Sequence, residues 1–239
     1  MAIDRRLLHN IEWSLLLACL LVAGIGVATI VSATYSTRYS SIYVKQLYAL
    51  GLGLVALLIA SGIDYRRLVD RAHLLYVPTV AALVAVKLWG PRIAGTQRWF
   101  VVGGLQIQPS EFAKLVAALL LAKMFAESKK ESLGLRDVLG PGLAIGVLCV
   151  LIAAEPDLGT AFTLVPMFLA AAFLAGLRMK ALLGLLLVGA VVGGLGWMFA
   201  LKDYQKARIY SFLDPSLDPR GAGYQKIQSE IAVGSGGLT

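Results

Sequence analysis

Apolar residues fall along this chain in long runs separated by short polar segments. The runs extend from Ile11 to Ala33, Val44 to Ser61, Ala72 to Trp89, Pro109 to Phe125, Val138 to Ala154, Leu158 to Leu177 and Ala181 to Leu201. Each is close to the roughly 20 residues that a helix needs to cross a hydrocarbon core about 30 Å thick. They predict an all-α, polytopic integral membrane protein with about seven transmembrane helices in this chain. The first run reads as a retained helix, because a second apolar run follows it where a signal peptide would give way to soluble sequence. Pro78 lies inside the third, where a membrane helix tolerates a kink. After Leu201 the sequence turns polar and rich in Gly, Pro and Gln, so the chain divides into a transmembrane bundle over residues 1–201 and a loop segment over 202–239. In that segment Tyr224, Ile227 and Ile231 recur at helical spacing and predict a stripe resting on the membrane interface.

Charge orients the bundle. Arg5, Arg6, Arg66, Arg67, Arg71, Lys123, Lys129, Lys130, Arg136, Arg178 and Lys180 fall in one alternating set of short segments, whereas the other set holds only Arg38, Lys45, Lys87, Arg92 and Arg98. Basic short loops stay inside. The amino terminus is therefore expected in the cytoplasm and the tail from Lys202 onward on the extracytoplasmic side. Composition agrees, since 58% hydrophobic residues, 15% charged residues and a mean hydropathy of +0.76 give more apolar surface than a soluble domain can bury. The net charge of +8 suits anionic membrane lipids, and no soluble basic module is visible that would bind nucleic acid.

Several chemistries lack their residues. Cys19 and Cys149 sit in separate membrane runs and read as small buried residues rather than a disulfide or metal pair. His9 and His73 are not at ligand spacing, and there is no phosphate-cradling glycine-lysine loop, so zinc hydrolysis and nucleotide-driven pumping are not expected. Gly142 with Gly146 and Gly189 with Gly193 are spaced for close helix packing.

The outward-facing segments carry the candidate chemistry. Gly95-Thr96-Gln97-Arg98-Trp99-Phe100 precedes Gln108-Pro109-Ser110-Glu111-Phe112-Ala113-Lys114. Proline at a first helical position and glutamate in the first turn suit a helix start. Lys114 shares a helix face with Glu111 and lies inside the membrane boundary, where an ammonium must either snorkel to the interface or find a partner. Glu155-Pro156-Asp157-Leu158-Gly159-Thr160 is a charged break between two apolar runs, and Asp157 is either an N-cap or a functional carboxylate. Carboxylates, a lysine, an arginine and a tryptophan on one outer side suit a phosphorylated sugar lipid, with cations for pyrophosphate and carboxylates for hydroxyl protons.

These strings, together with Gly221-Ala222-Gly223-Tyr224-Gln225 and Gly234-Ser235-Gly236-Gly237-Leu238, resemble the shape, elongation, division and sporulation (SEDS) family. Leu213-Asp214-Pro215 and Asp218-Pro219 are more similar to its elongation member than to its division member. The resemblance implies a peptidoglycan glycosyltransferase of the bacterial cytoplasmic membrane that polymerises lipid II on the outer face during elongation, beside a class B penicillin-binding protein that crosslinks the strands. Alternatives are a lipid II flippase and a non-catalytic scaffold for a transpeptidase. By motif, Glu111 and Lys114 match the family's membrane ion pair, Asp157 its acidic residue at the sixth helix, and Trp99 its outer-loop tryptophan. These three charged residues are the candidate catalytic set; Arg98, Trp99, Gln108, Ser110, Tyr224, Gln225 and Gln228 are candidate substrate contacts. The reaction implied is attack of an acceptor-sugar hydroxyl on the anomeric carbon of a chain carried on undecaprenyl pyrophosphate, with inversion and without a nucleotide. Lys114, Arg98 or a divalent cation would stabilise the leaving pyrophosphate. The family resembles a fold of about ten such helices, whose outer loop continues beyond Gly-Ser-Gly-Gly-Leu to an aspartate assigned as catalytic. This chain stops at Thr239 and is expected to be a fragment that binds without polymerising.

Overall fold

The computed structural model describes residues 12–37, 40–93, 95–103, 105–128, 130, 132–201, 203–219, 221 and 223–235. Arg5, Arg6, His9, Arg38, Lys129 and the Gly236-Gly237-Leu238 end of the last motif lie outside them. Helices dominate in the order α1 (Trp13–Thr34), α2 (Ile42–Ser61), α3 (Tyr65–Asp70), α4 (Ala72–Trp89), a hairpin of β1 (Phe100–Val102) and β2 (Leu105–Ile107), and α5 (Pro109–Ala126). A 3₁₀ turn (Leu135–Val138) then leads into α6 (Leu139–Ala154), α7 (Leu158–Leu174) and α8 (Met179–Leu195), which runs into a π turn (Gly196–Ala200). The tail forms α9 (Asp203–Leu213), a 3₁₀ turn (Pro215–Leu217) and α10 (Tyr224–Ser235).

Five of these helical stretches are long and apolar enough to cross a membrane: Trp13–Thr34, Ile42–Ser61, Ala72–Trp89, Leu135–Ala154 and Met179–Phe199. The chain is thus a mostly all-α, multi-pass membrane protein. The other two apolar runs are also helical. The 18 residues of α5 include Glu111, Lys114 and Lys123, and α7 has 17 residues. The sixth run was expected to continue to Leu177, but α7 ends at Leu174, because Gly176 turns with φ 91° and Leu177 pairs with Leu133 instead.

The chain forms two compact units, Met1–Lys123 and Met124–Thr239. In the first, α1 and α2 pack on each other yet bury no residue, and Cβ positions built on Gly24, Gly26, Gly51 and Gly53 meet open space. Cys19, expected to be buried, is therefore exposed. Helix α5 differs. Ala113, Val116, Ala117, Leu120 and Leu121 form a buried stripe at helical spacing, while Glu111 and Lys114 lie off it. Its C-terminal end is tied down by Lys123, whose Nζ donates to the Asp70 carbonyl at 2.6 Å.

In the second unit α6 and α7 form an antiparallel hairpin, with Cys149 half-buried and its thiol 3.5 Å from the Ala161 carbonyl. Of the glycines expected to pack, Gly142 faces Phe168 at 3.4 Å, but Gly146, Gly189 and Gly193 meet nothing within 4 Å among the described residues. Where the helices α5 and α7 end, the loops that follow are stitched together: the Leu133 N–H donates to the Gly176 carbonyl at 2.9 Å, and the Arg178 N–H to the Leu133 carbonyl at 3.0 Å. Leu133 and Leu177 are buried there with Val138, Ala172 and Ala181.

Candidate functional site

The first group of candidates is built by a short irregular stretch. Gly95, at φ 79°, occupies the left-handed region that glycine enters without a steric penalty. It closes a tight turn in which Ile93 and Thr96 exchange backbone hydrogen bonds of 2.9 and 3.0 Å. The Gln97 side chain donates back to the Gly90 carbonyl at 2.9 Å. The first part of the motif thus shapes the backbone, and Arg98 and Trp99 follow as its half-buried product, with the Arg98 guanidinium 5.9 Å from the Trp99 ring centroid. That is cation–π distance. The chain then enters the hairpin, in which Phe100 pairs with Ile107 and Val102 with Leu105.

Gln108 and Ser110 form the start of α5. Gln108 Nε2 donates to Ser110 Oγ at 2.8 Å, and Ser110 is 0% exposed, so its hydroxyl serves the helix start. One turn later Lys114 Nζ donates to Glu111 Oε1 at 2.9 Å, with 36% of the lysine and 57% of the glutamate side chain uncovered. The lysine is thus paired within its own helix, and Glu111 in the first turn also meets the positive end of the helix dipole.

The second group lies in the break between α6 and α7. Asp157 is the N-cap of α7: one carboxylate oxygen accepts from the Thr160 N–H at 3.2 Å and the other from the Thr160 hydroxyl at 3.0 Å. Such caps contribute about 0.5–2 kcal/mol. The cap reading is therefore structurally real, and a carboxylate with further lone pairs keeps acceptor capacity beyond it. Two residues earlier stands a group not singled out from the sequence. Glu155 is 0% exposed, the one charged side chain among the buried described residues. Its signal was its place in the Glu-Pro-Asp break, which reads from the sequence as solvated loop.

The third group is on the tail. Gly223 leads into α10 by close backbone approach: its N–H donates to the Asp218 carbonyl at 3.0 Å, and a Cβ on it would lie 2.3 Å from the Pro215 carbonyl oxygen. Asp214 caps the preceding 3₁₀ turn, and hydrogen bonds from the Ser216 hydroxyl and N–H hold its carboxyl below the usual range. Tyr224, Gln225 and Gln228 are exposed and lie within one arc of α10, so these three candidates share a face. Nearby, the Trp197 and Tyr210 rings meet edge to face at 5.6 Å. Glu111 and Lys114 belong to one compact unit, and Asp157, Tyr224, Gln225 and Gln228 to the other.

A sequence model of the FtsW, RodA and SpoVE family, described as cell cycle proteins, matches residues 8–239. The chain belongs to this family. It is 37% identical over 203 residues to the peptidoglycan glycosyltransferase MrdB of Escherichia coli K12, covering 81% of this chain and 52% of that one. It is 35% identical over 233 residues to the stage V sporulation protein E of Bacillus subtilis, covering 94% of this chain and 63% of the relative. Among solved structures it is similar to a chain of a peptidoglycan synthase complex that coordinates polymerization and crosslinking, at a TM-score of 0.77 and 35% identity, covering 96% and 67% of the two chains. The rod shape determining protein RodA of Thermus thermophilus superposes at a TM-score of 0.64 and 30% identity, covering 77% of this chain and 60% of that one. The chain spans about half the length of the first of these curated relatives.

Proposed function

We propose that this protein is the amino-terminal part of a peptidoglycan glycosyltransferase that polymerises lipid II on the outer face of the bacterial cytoplasmic membrane during elongation. The observation that carries the reading is the 2.9 Å Glu111–Lys114 pair, set near the start of the apolar helix α5 in a chain similar to a named peptidoglycan glycosyltransferase. Ionisable residues within a membrane helix are costly and therefore mark functional sites by default. In this reading Lys114 and Arg98 oppose the negative charge that builds on the departing pyrophosphate, and Trp99 gives a flat surface to the sugar. Gln225, Gln228 and Tyr224 supply neutral donors and acceptors for sugar hydroxyls. The acceptor hydroxyl attacks the anomeric carbon, the bond to pyrophosphate breaks, and the hydroxyl proton passes to a carboxylate. Asp157 is this chain's candidate for holding charge near that step. In this reading a divalent cation accompanies the pyrophosphate and shares its charge with Lys114 and Arg98. A class B penicillin-binding protein is the proposed partner, and the amino terminus is proposed to be cytoplasmic.

The test is polymerisation of lipid II in liposomes containing a class B penicillin-binding protein. It compares this chain, and this chain extended by the remaining length of a family relative, each with Asp157→Ala and Lys114→Ala variants. Glycan polymer from the extended chain, lowered at least 10²-fold by Lys114→Ala, is the expected result. Transfer of fluorescent lipid II between leaflets without polymer would overturn the reading in favour of a flippase. Neither polymer nor transfer, with the transpeptidase still bound, would leave a scaffold.

A further inference from the structure

The loops after α5 and α7 are built more firmly than a connection between helices requires. Their backbones are joined at Leu133, Gly176 and Arg178, and the leucines between them are buried against Phe125 and Phe168. This base fixes the polar side chains above it. Arg178 Nε donates to the Ser132 hydroxyl at 3.2 Å. Asp137 accepts from the Gly134 N–H at 2.8 Å and pairs with Lys130. The one described carboxylate at the centre is thus taken up internally. Around it, Arg136, Arg178 and Lys180 are exposed. The stretches 127–137 and 176–180 together hold five basic and three acidic residues, so the pair of loops is cationic as a whole.

We propose that these two loops form a site for the headgroup of an anionic phospholipid. Two features select this occupant. An Arg178 guanidinium positioned by Ser132 keeps most of its N–H donors for phosphate oxygens, in the planar arrangement that suits them. Beside the cations, Leu135, Leu139 and Met179 are exposed where α6 and α8 begin, and Leu135 leans on α8 opposite Gly184. Cations over an apolar rim at the ends of membrane helices match a charged head with acyl chains below it. A soluble polyanion would leave that rim uncovered. The ordinary asymmetry of loop charge accounts for the number of cations, but not for a buried leucine base that fixes their backbone. The site does not depend on the glycosyltransferase reading.

The test measures retained lipid on the full chain by native mass spectrometry, with palmitoyl-oleoyl phosphatidylglycerol competing against the phosphatidylcholine of the same chains. The Arg136→Gln/Lys180→Gln variant leaves the Leu133, Gly134, Asp137 and Arg178 hydrogen bonds described above in place and is expected to lose the preference for phosphatidylglycerol by on the order of tenfold. Arg66→Gln/Arg67→Gln, which removes equal charge from α3, should keep it. Equal loss in both variants would mean general electrostatics and overturn the proposal. So would displacement of the lipid by free glycerol phosphate at matched concentration, which would assign the loops to a soluble anion.

Discussion

Removing one partner of the Glu111–Lys114 pair probes what surrounds it. Were the uncovered 36% of Lys114 and 57% of Glu111 wetted, the pair would act like a surface salt bridge and contribute roughly 0.2–1 kcal/mol. Set within a bilayer, as the proposed reading has it, that surface meets lipid, where a lone basic or acidic side chain costs about 2.5–3.5 kcal/mol at the bilayer centre and less toward the edge. Glu111 and Lys114 lie in the first two turns of α5, so about 2 kcal/mol for either single change is the expected figure, a factor of roughly 30 in the folding equilibrium. A double-mutant cycle isolates it: wild type, Glu111→Gln, Lys114→Met and the double variant, unfolded reversibly in bicelles. The double variant should lose much less than the two singles together, giving a coupling energy of at least ~1.5 kcal/mol. Reversal to Glu111→Lys/Lys114→Glu should recover only part, because the glutamate's place at the helix start contributes about 0.3–1 kcal/mol that a lysine there forfeits. Additive singles, with coupling under ~0.5 kcal/mol, would show that each charge reaches water alone and refute the reasoning.

Two further outcomes follow from the geometry. Gly223→Ala places a methyl 2.3 Å from the Pro215 carbonyl oxygen, so hydrogen exchange of α10 should accelerate as if destabilised by about 1–3 kcal/mol; unchanged protection would mean that the turn does not hold the helix. Reporter fusions at Arg67 and Lys129 should read cytoplasmic and one at Ser216 external, and a cytoplasmic reading at Ser216 would break the seven-run topology.

What was legible in the sequence followed from one-dimensional constraints. Ala72–Trp89 was read to the residue because a spanning helix must be apolar for its whole length and Gly90 ends it. The Glu111–Lys114 contact was legible because spacing of three on a helix fixes proximity. Tyr224, Ile227 and Ile231 gave α10 for the same reason. The hairpin was missed although its signal was present, a glycine pair between the short apolar runs Phe100–Val102 and Leu105–Ile107. Leu177 and Glu155 were not legible in principle. Both depend on tertiary structure: Leu177 leaves the helix to meet Leu133, 44 positions earlier, and the full burial of Glu155 is a property of the folded chain that no local pattern carries. The same limit applies to Cys19, whose exposure depends on whether any neighbour covers α1.

Because α1 and α2 bury no residue and their glycines meet open space among the described residues, what this chain itself gives these two helices is apolar length, which suits them to insertion one helix at a time. Each can partition into the bilayer as it leaves the ribosome, before α5 or α7 has been made. Within this chain Gly24 or Gly51 exchanged for alanine gains helix propensity of up to about 1 kcal/mol with no clash among the described residues. Changes in residues 13–61 that shorten or charge these apolar runs are expected to lower the amount delivered to the membrane at unchanged activity per molecule.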